Sequence, residues 1–366
     1  MRHFHRFLSC LALFIFTALF IVSCNNAPST TTSSGTASSD AAAQTLNIYN
    51  WSTYIAPESL EAFQKQFNVK IKYDTFESND ALYAKLKPGN PGYDVIFPAD
   101  YMVKRMKDEG MLETLNLAKI PNLKNLDPKF ANPAYDAGNQ HSAAYQWGTL
   151  GIGYNSEKTK KTPDSWGAMF DSQYQGRVAW LDDVRYTLGA VLIYLGFDPN
   201  TTNPDEILKA KNTLIAKKGM ISAFAPDTGQ NLLNQGEVDL TFEYSGDIFQ
   251  VMEENKALNY AIPKEGTIVW VDNMAIPKGA PHQDLANEFI NFILEPKVGA
   301  QISNFIHYGS PNKTAVDQKL IAEADLKNPS IYPSPEVFKK LKVLKDVGEN
   351  IKLYDAAWTE VKVGVS

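Results

Sequence analysis

Apolar positions along this chain recur at two spacings, and the switches between them outline a fold. Leu46-Asn47-Ile48-Tyr49 alternates with the period of a strand, and after Pro57 the residues Leu60, Phe63 and Phe67 follow at helical spacing. Residues 69–73 read as a second strand and 81–86 as a second helix, capped by Ser78, Asn79 or Asp80. Residues 93–97 form a third apolar strand that runs into Pro98-Ala99-Asp100-Tyr101. This β-α-β-α-β order predicts a largely parallel, doubly wound sheet. Ligands of such sheets sit beyond the carboxyl ends of the strands, which puts Trp51 and Tyr101 on the binding edge.

Helix is predicted over 102–111 and irregular surface over 121–133. The extended apolar run 143–154 reads as a crossover between lobes; its Gly151-Ile152-Gly153 lacks the third glycine of a dinucleotide loop. A second α/β pattern then begins. Strand 177–181 ends in Asp182-Asp183, residues 166–170, 188–195 and 206–216 read as helices, and strand 237–242 ends in Glu243-Tyr244-Ser245-Gly246-Asp247. The stretch 267–279, TIVWVDNMAIPKG, predicts a buried strand with Trp270 and Asp272 on one face and Val271 and Asn273 on the other. Helices over 284–294 and 297–305 follow, and the tail from Pro333 reads as mostly helical. Two α/β halves joined by several crossings suggest two lobes that close on a ligand.

The amino terminus carries an address. Arg2, His3, His5 and Arg6 precede a continuous apolar run over 7–22, which ends in Ile21-Val22-Ser23-Cys24. The run is shorter than the ~20 residues of a membrane span and a small residue precedes the cysteine, so 1–23 reads as a signal peptide and Cys24 as the lipidated first residue of the mature protein. Residues 24–44, rich in Ser, Thr and Ala, form a flexible tether. With Cys10 inside the signal, the mature chain keeps one cysteine, which leaves no disulfide and no zinc cluster. A net charge of −6 argues against nucleic acid, which demands clustered Lys and Arg.

Most of the strand ends pair a ring with a carboxylate: Asp100-Tyr101, Asp183 with Tyr186, Tyr244 with Asp247, and Trp270 with Asp272, while Trp51 and Tyr54 add rings alone. An organic cation suits such pairs, because the ring quadrupole attracts its charge and the carboxylate accepts its N–H bonds. A single pair is more often a packed ring beside a capping Asp; several at successive strand ends point to a site. Enzyme chemistry finds little support. There is no GxSxG and no GxxxxGK[ST], and His141, His282 and His307 assemble no triad, so no catalytic residue, metal or cofactor is expected.

The chain resembles the bacterial spermidine/putrescine substrate-binding proteins of polyamine ABC transporters. Tyr49-Asn50-Trp51, Glu77-Ser78-Asn79, Asn125-Leu126-Asp127-Pro128, Asp182-Asp183, Pro263-Lys264-Glu265-Gly266 and Trp270-Val271-Asp272 carry the likeness, in the family's order. The resemblance implies a type II periplasmic-binding-protein fold, two doubly wound α/β lobes joined by crossover segments with a ligand cleft between them. Lobe 1 would take 45–148 and 271–316, and lobe 2 would take 149–270 and the C-terminal part 317–366. It implies cleft residues Trp51, Tyr54, Tyr101, Tyr244, Trp270 and Tyr308, with Asp272 gripping one amine, Asp183 toward the other end, and Asp247 as in putrescine-preferring members. Ala99, Tyr186 and Leu344 depart from the family's serine, glutamate and glutamine. Tyr186 therefore enters as a cleft residue without a counter-charge, and the retained Asp247 leans toward a diamine. The implied protein is a monomeric, extracytoplasmic, lipid-anchored partner of a membrane permease. A same-fold binder of an amino acid or betaine, or a sensor subunit, is the alternative; an α-amino acid would call for an Arg on its carboxylate, for which Arg185 is the candidate.

Overall fold

The computed structural model describes residues 44–365. The signal peptide, Cys24 and the tether up to residue 43 lie outside the described residues.

The opening β-α-β-α-β unit forms as its periodicity predicts. β1 (Thr45–Trp51) lies parallel between β2 (Lys70–Phe76) and β3 (Val95–Ile96). Helix α1 (Pro57–Phe67) buries Phe63 and ends at Asn68, whose left-handed φ of 51° breaks the helix. Helix α2 (Asn79–Leu86) is capped by the Ser78 hydroxyl, and α3 (Asp100–Asp108) starts directly beyond β3.

The connection to the second half is made by β4 (Ser142–Asn155), in which every position is buried. Such a run, apolar on both faces, belongs to a strand covered on both sides. Its first half pairs antiparallel with a later strand, β9 (Ile268–Ala275), from Ser142↔Ala275 to Thr149↔Val269. Its second half pairs with β7 (Leu240–Tyr244) and β8 (Leu258–Ala261). β5 (Val178–Leu181) lies parallel to β6 (Ile221–Ala225) and β7. The sheet order is β2-β1-β3-β9-β4-β7-β5-β6, so β4 and β9 carry one continuous sheet from the first α/β half into the second.

Helices α4 (Val184–Tyr194), α5 (Pro204–Ala216), α6 (Gly229–Asn234) and α7 (Ser245–Glu254) belong to the second half, and α8 (Gln283–Ile293) and α9 (Pro296–Ile306) follow β9. The segment 166–170 is a 3₁₀ helix capped by Ser165. The tail departs from its predicted helicity. Only Pro335–Phe338 is helical before the chain extends as β10 (Lys342–Val343) beside Ile268 and Val269, and the helix resumes at Ile351–Val365. Residues 339–345, KKLKVLK, place Leu341 and Val343 two apart and Leu341 and Leu344 three apart and so fit either period; an open edge on β9 decides it.

Candidate functional site

Strand ends bring a box of rings together. Trp51 closes β1, Tyr244 closes β7, Trp270 lies in mid-β9, and Tyr308 follows His307, whose left-handed φ of 56° ends α9. Ring centroids are 5.9 Å apart for Trp51–Tyr244, 5.8 Å for Tyr244–Trp270, 5.1 Å for Trp270–Tyr308 and 5.4 Å for Tyr54–Tyr308. All four contacts are edge-on, the geometry aromatic pairs favour, and they hold the rings against one another at steep angles. Trp51 is held by its indole N–H, which donates to Phe97 O at 3.0 Å, and Tyr54 by its carbonyl, which accepts the Tyr145 hydroxyl at 2.6 Å. Gly246 is required here: a Cβ on it would lie 2.5 Å from the Tyr308 ring.

The rings line a narrow pocket formed by Trp51, Ser52, Tyr54, Asp227, Tyr244, Asp247, Trp270, Asp272 and Tyr308. Seven of the ten sequence-derived candidates therefore meet: Trp51, Tyr54, Tyr244, Asp247, Trp270, Asp272 and Tyr308. The other three stand outside the pocket lining. Tyr186 packs edge-on against Tyr244 at 5.9 Å, and Tyr101 against Tyr186 at 6.1 Å. Asp183 caps α4, its Oδ1 accepting the backbone N–H groups of Arg185 and Tyr186 at 2.9 Å each, while its buried Oδ2 has no partner. Its neighbour Asp182 pairs with Lys362 at 2.6 Å. Tyr101 and Leu344 line a separate hollow with Asp100 and Tyr135.

Two lining residues escaped the sequence reading. Asp227 sits beyond β6, and Ser52 follows Trp51; the Ser52 hydroxyl donates to Asp227 Oδ2 at 2.8 Å, tying the loop after β1 to the loop after β6. The signal for Asp227 was present. Ile221–Ala225 is a short apolar strand with an acid just past its carboxyl end, the same rule that found Tyr244 and Asp247.

The cavity's acids lack cationic partners. Burial pushes the Asp272 carboxyl well above the usual range, against the Tyr54 hydroxyl that holds it down, and Asp100 raises it further. Burial pushes Asp247 up to about 7, although the Tyr308 hydroxyl and Asp227 restrain it. Asp227 and Glu243 lie well above their ordinary values, through burial first and then the charge of Asp247. Among the described residues, the groups acting on these four acids are other carboxyls, hydroxyls and backbone N–H; none is a cation. One carboxylate oxygen from each of Asp227, Glu243 and Asp247 lies within 4.8 Å of the other two, a set of hard oxygens. A pocket with aromatic walls and buried acids that lack a cationic partner attracts a cation, whose charge restores what burial took from the carboxylates.

Comparison with known proteins places this geometry. The bacterial extracellular solute-binding protein family matches residues 58–329. The spermidine/putrescine-binding periplasmic protein of Escherichia coli K12 is 35% identical over 322 residues, covering 87% of this chain and 92% of that protein. The putrescine-binding periplasmic protein SpuD of Pseudomonas aeruginosa is 36% identical over 339 residues, with 87% and 92% covered. The crystal structure of the spermidine/putrescine ABC transporter substrate-binding protein PotD from Streptococcus pneumoniae, in complex with calcium and HEPES, superposes with a TM-score of 0.74 at 34% identity, over 88% of this chain and 100% of that one. The fold is the type II fold of periplasmic binding proteins, and the chain belongs to the bacterial extracellular solute-binding protein family.

Proposed function

We propose that the protein is the substrate-binding component of an ABC transporter and captures a polyamine in the ring-lined cavity for delivery to a membrane permease. The carrying observation is Asp272 beside Trp270 on β9, buried, without a cationic partner, and facing the same cavity as a second acidic pole at Asp227 and Asp247. Two poles across an aromatic box suit a short chain with an ammonium at each end. Tyr186 packs between Tyr101 and Tyr244, and Asp183 caps α4 outside the pocket lining, which favours a diamine of the putrescine type over a longer amine. Arg185 supports this reading over an α-amino acid. Its guanidinium bonds Lys345 O at 3.0 Å and Asn200 Oδ1 at 3.3 Å and lies outside the cavity lining, so it offers no carboxylate grip there.

In this reading 45–148 with 271–316 forms one lobe and 149–270 with 317–366 the other, and the Ser52–Asp227 bond links them. The protein acts outside the cytoplasmic membrane as a monomer, anchored through lipid on Cys24 after removal of 1–23. A thermal-shift series with putrescine, spermidine, spermine, agmatine, betaine and arginine tests the class. A rise in melting temperature with a di- or triamine and none with betaine supports it; a response to betaine or arginine alone contradicts it.

A further inference from the structure

The acidic pole opposite Asp272 contains more acid than one aspartate needs to hold one amine. Asp227, Glu243 and Asp247 are each at most 4% exposed, and they come from three elements: the loop after β6, the end of β7 and the first turn of α7. Each carboxylate commits one oxygen to the protein. Asp227 Oδ2 accepts the Ser52 hydroxyl at 2.8 Å, Glu243 Oε1 accepts the Tyr244 N–H at 3.0 Å, and Asp247 Oδ1 accepts the Gln250 amide at 3.3 Å. The Tyr308 hydroxyl and Asp227 also engage the Asp247 carboxyl, so the least engaged oxygen of the three acids belongs to Glu243. The Glu243 Oε2 atom is fully buried with no hydrogen-bond partner, although the backbone N–H groups of Gly229 and Gln230 face that carboxylate. The buried Gln230 Oε1 and Thr241 Oγ1 are unpartnered as well. Gly229 makes the arrangement possible, since a Cβ there would lie 2.4 Å from Glu243 Oε2 and 2.7 Å from Thr241 Oγ1.

A primary ammonium has three N–H donors in a tetrahedral array. At an ordinary N···O distance of about 2.8 Å, three acceptors around it stand about 4.6 Å apart. The three acids here each bring an oxygen within 4.8 Å of the other two, near enough to share one ammonium; Asp227 and Asp247 line the pocket walled by Trp51, Tyr244 and Tyr308, and Glu243 lies against them. We propose that Asp227 and Glu243 join Asp247 in a tripod that recognises the three N–H groups of a primary ammonium, so that this pole selects unsubstituted amine ends. This rests on the polyamine reading and adds two binding residues and a rule of discrimination. A methylated amine keeps its charge but loses donors, and would leave at least one buried carboxylate oxygen unpaired.

Calorimetric titration of the full chain with 1,4-diaminobutane and its N,N,N′,N′-tetramethyl analogue, in wild type, Asp227→Asn, Glu243→Gln and Asp272→Asn, tests the tripod. The expected result is that Asp227→Asn and Glu243→Gln each weaken the diamine about ten- to hundredfold and weaken the tetramethyl analogue, which loses the same counter-charge but fewer hydrogen bonds, by a factor at least about threefold smaller. Discrimination then narrows in both variants. Equal losses for both ligands would show that the acids supply only charge, and would overturn the tripod. Unchanged diamine affinity in both variants, with loss in Asp272→Asn, would overturn the tripod and leave the polyamine reading standing. Failure of the wild type to bind the diamine would end both. Calcium binding that Glu243→Gln abolishes while diamine affinity stays unchanged would assign these oxygens to a metal and overturn the proposal. Each substitution removes a buried acid and keeps the shape of its side chain, so melting temperatures at or above that of the wild type are expected, and either variant carries the test if the other fails to fold.

Discussion

Replacing Asp247 by Asn should make the ligand-free protein more stable above neutrality and a worse binder. Burial pushes the Asp247 carboxyl from 3.8 up to about 7 in the folded protein. Between those values the folded protein holds more protons than the unfolded chain, so this group's contribution to stability falls as pH rises from about 4 to about 7 and is level above that. A shift of about three pKa units corresponds to roughly 4 kcal/mol of penalty at pH 8. Asn carries no charge and escapes that penalty. Spread over the 322 described residues, 44–365, an unfolding entropy of about 2.1 cal/mol/K per residue turns 4 kcal/mol into a melting shift of about 6 °C.

Calorimetric or fluorescence melting of both proteins across pH 4 to 8 reads this directly. The variant should melt higher by several degrees at pH 8, with the gap between the two curves closing toward pH 4. A saturating diamine should reverse the order at pH 8, since the bound cation offsets the charge that only the wild type carries. A gap that stays constant across the range, or a variant that melts lower at pH 8 without ligand, would show that the charge of Asp247 is already compensated in the folded protein and would refute the reasoning.

Trp270→Leu removes one aromatic wall and should weaken a diamine about threefold to thirtyfold, the range of a cation–π contact; calorimetry that shows no change would make Trp270 a core residue alone. Tyr186→Glu places an acid beside Asp183 and takes away the ring that packs on Tyr244, so competition binding should show spermidine gaining relative to putrescine by about tenfold. Cys24→Ser should abolish incorporation of labelled palmitate in cells and release the protein from the membrane fraction; continued labelling would place the anchor elsewhere.

Much of this architecture is written locally. The β-α-β-α-β opening, the crossover at 142–155 and strand β9 follow from apolar periodicity, and Trp270 and Asp272 share a face because they stand two apart on a strand. Ring-and-acid pairs exposed four of the nine residues that line the pocket, Tyr244, Asp247, Trp270 and Asp272; Trp51 and Tyr54 stood out as rings alone, and Tyr308 came from the family resemblance. Ser52 and Asp227 were missed because β6 is short and is followed at once by Pro226, so the acid past its end drew no notice. Glu243 appeared in sequence only as the residue that follows strand 237–242; its place beside Asp227 and Asp247 depends on the packing of α6 against β7 around Gly229, which no local spacing encodes. Asp183 shows the converse. A strand-end acid next to a ring fits a ligand-gripping residue and a helix cap equally well in sequence, and here its Oδ1 caps α4. The tail was read as helix because its charged and apolar residues satisfy both periods, and the free edge of β9 claimed two of them.

We place one ammonium of a diamine on Asp272, which is buried beside Trp270 with no cationic partner among the described residues. Calorimetric titration of the protein and of Asp272→Asn with putrescine tests it most directly. An amine facing Asn in a dry site loses its charged acceptor, a cost of about 3–5 kcal/mol. The account predicts saturable one-to-one binding by the wild type and a loss of at least two orders of magnitude in the variant. Near-native affinity in Asp272→Asn would contradict it.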